Sequence, residues 1–153
     1  MFEPTSPRTA CDHHAPGGVA ALAADNTEQS IAVAVETEGG DAWWPCKDHP
    51  SDEADSVALN FTVPSTLVCV SNGRRVDTVD NLDGTKTFSW FVSNPINNYN
   101  LIPYVGYYRQ FSDKFEGEAG LLNLDFWVMD YNVEKAKARF LTDAPKMLRC
   151  FEH

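Results

Sequence analysis

The chain has 153 residues, 43% of them apolar and 12% aromatic, enough for one hydrophobic core and too rich in large side chains for a disordered polymer. A formal charge of −10 describes a surface that repels nucleic acid and anionic lipid, so neither is expected as a partner. No apolar run approaches the roughly 20 residues of a membrane-spanning helix, and no bilayer contact is expected.

Residues 1–30 mix Ala, Pro, Gly, Thr and Asp without periodicity and read as a poorly ordered leader. They lack the basic and apolar regions of a secretory signal, which leaves the compartment open with the cytoplasm favoured. Residues 31–35, IAVAV, place β-branched side chains at alternate positions and run toward the turn signal Gly39-Gly40. The aromatic pair Trp43-Trp44 and Pro45 lead into a polar loop.

From 57 to 63 the alternation is explicit: Val57, Leu59, Phe61 and Val63 point one way, and Ala58, Asn60 and Thr62 the other. A half-buried strand is expected there. A second short strand at 67–70 closes at Asn72-Gly73, and Asp83-Gly84 joins 76–79 to 85–92 as a hairpin, with Phe88, Trp90 and Val92 on one face. Asn94-Pro95 breaks that strand, and 101–111 and 121–131 are expected to pair around Gly117 and Gly120. After Tyr131 the period changes. Asn132 is placed to cap a helix with Val133, Ala136, Lys137 and Phe140 on one stripe, and Pro145 is placed to open a second, short helix. The expected fold is mainly β, an incomplete antiparallel sandwich or saddle-like domain over 31–131, followed by a short helical segment over 132–153.

Several polar groups invite chemistry. Cys11, His13 and His14, with Cys46 and His49, supply the ligand types of a tetrahedral zinc site, but neither half has two-cysteine knuckle spacing, and solvated histidines are the better reading. Lys47, Asp48 and His49 with Ser51, Asp52 and Glu53 read as a loop whose side chains fix a turn rather than as an acid–base cluster. The rows Phe88/Trp90 and Phe126/Trp127 read as core. Cys11, Cys46, Cys69 and Cys150 are scattered in a chain that does not need staples, and are expected to be thiols.

Three segments are familiar: WWPCKDHPSDE at 43–53, VPSTLVCVSNG at 63–73 and SWFVSNPINNYN at 89–100. In order and spacing they resemble the aminopeptidase N family of zinc metallopeptidases, including its leukotriene-hydrolase branch, over residues 31–153; DYNVEKAKARF and MLRCFEH extend the likeness. In that family a saddle-shaped β-domain precedes the zinc-bearing domain. The resemblance therefore implies a non-catalytic β-domain fragment of an enzyme that removes N-terminal residues from peptides, supporting the substrate pocket and the absent catalytic domain.

The family's H-E-x-x-H and G-x-M-E-N strings do not occur in the chain. It is accordingly expected to hold no metal or cofactor and no catalytic residue, the zinc belonging to the parent enzyme. The family's pocket wall contributes a Gln or Glu shortly before the aromatic pair. Counting back places it at Glu36, with Glu38 as the alternative, to pair with the protonated amine of the substrate. A free-standing β-sandwich binding module without catalysis is the alternative reading.

Overall fold

The computed structural model describes residues 19–24, 28–33, 39–47, 49, 51 and 53–152. These residues form nine antiparallel strands in three sheets and one C-terminal helix, and they group into two units that meet at Gly106/Tyr107. No helix among them is long and apolar enough to cross a membrane.

The first unit opens with β1 (Val19–Ala24) and β2 (Glu28–Val33), paired from Val19↔Val33 to Ala24↔Glu28. Both lie largely inside the stretch read as a leader. The Ala-rich sequence VAALAA has little strand propensity, and its pairing is carried by backbone hydrogen bonds that side-chain patterning does not announce. Next come β3 (Val57–Pro64), β4 (Val68–Val70), β5 (Arg74–Asp80), β6 (Thr85–Val92) and β7 (Tyr104–Gly106). One sheet has the order β1-β2-β7-β4 and another β3-β6-β5.

The period-2 expectation holds on β3, where Val57, Leu59, Phe61 and Val63 are the less exposed set. On β6, Phe88, Trp90 and Val92 are buried, as are Cys69, Leu101 and Val105. The Trp90 indole N–H donates to the Cys69 carbonyl at 3.2 Å, so its polar edge is satisfied inside the core. The β5–β6 turn forms at Asp83-Gly84 as expected: the Asp83 carboxylate accepts from the Thr85 N–H at 3.0 Å and its hydroxyl at 2.6 Å, and those bonds hold its pKa below the ordinary value.

In the second unit β8 (Tyr108–Gly117) and β9 (Gly120–Met129) form a hairpin in register from Tyr108↔Met129 to Gly117↔Gly120. Residues 101–111 therefore do not make one strand. The chain leaves the first sheet after Gly106 and begins a new one at Tyr108, and strand-forming residues on both sides, Tyr104 and Val105 before and Tyr107 and Tyr108 after, hide the break. Helix α1 runs unbroken over Val133–Phe151, with Pro145 inside it. The second helix expected at Pro145 is absent because the half-buried stripe Val133, Ala136, Ala144, Leu148 stays in phase through the proline. Asn132 does occupy the N-cap position, but its side chain makes no capping hydrogen bond.

Candidate functional site

The polar loop after Gly39 and the asparagine run before Leu101 meet in the first unit. Gly40 begins a short 3-10 turn over Gly40–Ala42, and Asn98 a second one over Asn98–Asn100. A Cβ on Gly40 would stand 2.9 Å from the Asn98 carbonyl carbon, so only glycine permits this approach. The Trp44 indole N–H donates to the Asn98 carbonyl at 3.2 Å, and the Asn98 amide donates to the Lys47 carbonyl at 3.1 Å. Trp43 stacks on Phe61 of β3 with ring centroids 6.5 Å apart. The two aromatic side chains thus pin the loop to β3 on one side and to the asparagine run on the other.

Between these segments lies a cleft of about 80 Å³ lined by Gly39, Gly40, Lys47, His49 and Asn97 to Tyr99. A space of this size accommodates several waters or a small polar group. His49 Nδ1 accepts from the Ser51 backbone N–H at 3.2 Å and lies 2.7 Å from Ser51 Oγ. Acceptance from a backbone N–H leaves the ring proton of the neutral imidazole on Nε2. The imidazole therefore closes a local turn through Nδ1, and His49 is among the residues that line the cleft.

The second motif attaches through β4. Ser71 Oγ donates to the Ile102 carbonyl at 2.9 Å, and the Ile102 N–H donates to Asn72 Oδ1 at 3.3 Å. Cys69 is completely buried, and that burial pushes its thiol up to about 12, which keeps it protonated and poorly nucleophilic near neutral pH. Cys69 and Cys150 are thiols, as expected.

Glu36 and Glu38 lie outside the described residues, as do Cys11, His13, His14, Asp48 and Asp52. Of the remaining candidates the structure brings Lys47 and His49 to the cleft. Sequence reasoning missed the opposite wall, Asn97, Asn98 and Tyr99. Their signal was the third motif itself, read as a family marker and not as a partner of the first. Among the described residues no group of three or more His, Cys, Asp or Glu side chains is placed to hold a metal ion, so these residues do not fit a zinc centre.

No family sequence profile and no curated protein matches the chain. Solved structures do. A two-domain M1 zinc metallopeptidase mutant bound to L-tryptophan aligns with TM-score 0.68 and 21% identity, covering 78% of this chain and 27% of that one. An M1 zinc metallopeptidase from Deinococcus radiodurans aligns with TM-score 0.60 and 22% identity over 66% of this chain and 23% of that one. A mutant of the Deinococcus radiodurans enzyme bound to a Tyr-Ser-Ala substrate gives 0.63 and 21% over 77% and 26%. The chain has the fold of a portion of these metallopeptidases and spans about a quarter of their length.

Proposed function

We propose that the chain is part of the non-catalytic, β-rich portion of a zinc aminopeptidase that removes N-terminal residues from peptides. Residues 31–131, together with the paired strands β1 and β2, serve as part of its β-domain and 132–153 as the start of the passage to the zinc-bearing domain. One observation carries this reading. The first and third resemblance motifs, whose bonded residues Trp44 and Asn98 are 54 positions apart, are hydrogen-bonded to each other through Trp44, Asn98 and Lys47, in a fold shared with M1 zinc metallopeptidase structures.

The role follows from what the residues lack. With no H-E-x-x-H in the sequence, the chain's contribution is to shape one wall of a pocket. Glu36, with Glu38 as its alternative, supplies a carboxylate to the protonated amine of the peptide, a charge-assisted contact that selects free N-termini. Glu38 directly precedes Gly39 in sequence, and Gly39 lines the cleft.

The test is genetic and enzymatic. A reading frame that continues beyond the His153 codon into H-E-x-x-H, and whose product hydrolyses aminoacyl p-nitroanilides with zinc, supports the proposal. In that product Glu36→Gln raises KM for free-amine substrates by tenfold or more. The 153-residue chain with zinc alone gives no turnover. A stop codon after His153 with no co-purifying zinc peptidase, or zinc-dependent hydrolysis by the short chain itself, overturns it.

A further inference from the structure

The second unit holds a larger cavity that the peptidase reading does not use. It is an open cleft of about 410 Å³ between the β8–β9 hairpin and α1, within the roughly 300–1,000 Å³ of small-molecule sites. Its strand wall carries Tyr108, Trp127 and Met129, and its helix wall carries Asn132, Lys135 and Arg139, with Phe140 at one end. Phe140 is held in place by Phe126, itself stacked on Phe111, at centroid distances of 5.6 and 5.1 Å. The strand wall therefore presents the Tyr108 and Trp127 rings, and the helix wall presents two cations with the supported Phe140 ring.

The polar groups on the helix wall have little structural work. Lys135 stands in the first turn of α1, where a cation opposes the helix dipole, and it has no ion pair among the described residues. Arg139 Nε is 3.9 Å from Asp143, an exposed and weak pair that leaves the other guanidinium N–H groups unengaged by that contact. Asn132 occupies the N-cap position, yet its amide does not cap the helix. No carboxylate lines the cleft, although the chain as a whole has a net charge of −10. Local positive potential on a strongly acidic protein attracts a small anion while the wider surface turns away polyanions.

We propose that this cleft binds a small carboxylate with a flat aromatic body, the ring lying against Trp127, Tyr108 and Phe140 and the carboxylate against Lys135, Arg139 and the Asn132 amide. A guanidinium and an ammonium one helical turn apart recognise the charge, and the ring faces supply the apolar contact. The proposal is independent of the peptidase reading.

The probe is 1-naphthylacetate, with 1-naphthylacetamide as its uncharged counterpart, titrated into the full chain by calorimetry and checked by saturation-transfer NMR. The acid is expected to bind saturably and the amide at least tenfold more weakly. Lys135→Glu combined with Arg139→Glu lowers affinity for the acid at least tenfold. A glutamate at 135 suits the first helical turn, so the variant folds, as far-ultraviolet circular dichroism verifies; Lys135→Met with Arg139→Met separates loss of attraction from added repulsion. Equal binding of acid and amide, no saturable binding up to the solubility limit, or unchanged affinity in both double variants overturns the proposal.

Discussion

Trp44 and Asn98 are 54 residues apart and joined by a hydrogen bond of 3.2 Å from the indole N–H to the asparagine carbonyl, while the Asn98 amide returns a bond of 3.1 Å to the Lys47 carbonyl. Each bond contributes about 1 kcal/mol net, and more is lost if a part-buried partner is left unsatisfied. Trp44→Phe and Asn98→Ala are each expected to lower unfolding free energy by about 1 kcal/mol in urea titrations. Because both bonds dock the same loop, the double variant should lose less than the sum, with a coupling of about 0.5 kcal/mol. Strict additivity would show that the two segments are held independently.

Gly73 closes the turn between β4 and β5 with φ of 85°, and a Cβ there would lie 2.2 Å from the Phe91 carbonyl oxygen. Two penalties combine, a left-handed backbone and a collision with backbone that belongs to the central strand β6. Gly84 has φ of 88° but open space around it. Gly73→Ala is thus expected to cost about 3 kcal/mol or more, and Gly84→Ala about 1 kcal/mol. Denaturation midpoints of the two variants, measured side by side, check the order; equal losses would mean that the Phe91 contact yields at no cost.

These two sites also show where sequence reading succeeds and stops. The Asp83-Gly84 hairpin and the face shared by Phe88, Trp90 and Val92 were legible because turn chemistry and a period of two are local properties. The meeting of Gly40 with Asn98 was not, since nothing within either segment specifies a partner so far along the chain. The break at Gly106 was hidden by strand-forming residues on both sides, Tyr104 and Val105 before it and Tyr107 and Tyr108 after it. At Pro145 a strong local signal was overridden by a half-buried stripe that continues through it, the usual outcome when tertiary packing competes with propensity. Glu36 rested on a counted offset within the resemblance, without a local pattern to support it.

Burial sets a pH dependence through Cys69. Its thiol is pushed from 9.0 to about 12 in the fold, so between those values the unfolded chain has lost a proton that the native chain retains. Stability must fall as pH rises through that window and is unaffected by this group below about pH 8. Cys69→Ala removes the titration and leaves a small cavity costing about 1 kcal/mol at neutral pH. The stability gap between wild type and Cys69→Ala should accordingly narrow, and then reverse, from pH 9 upward. In native protein at pH 8, Cys150, which is exposed, should react with a disulfide reagent while Cys69 does not. A gap that stays constant with pH, or rapid modification of Cys69, would contradict the buried, protonated thiol.

Pro145 lies within α1 rather than at its start. Its ring removes the N–H that would bond the Leu141 carbonyl and crowds that carbonyl, a cost of about 3 kcal/mol in an ideal helix interior. One turn earlier, Thr142 Oγ1 donates to the Ala138 carbonyl at 3.3 Å, a side-chain bond of the kind that accompanies bending. The proline is half-buried, so truncating it also removes some apolar contact. Pro145→Ala is therefore expected to stabilise the helix by about 1 to 2 kcal/mol, less than the full proline penalty, with greater helical ellipticity and a higher midpoint in thermal melts followed at 222 nm. Loss of stability in this variant would show that the packing of the ring outweighs the missing hydrogen bond, and that the helix is held in a shape only proline supports.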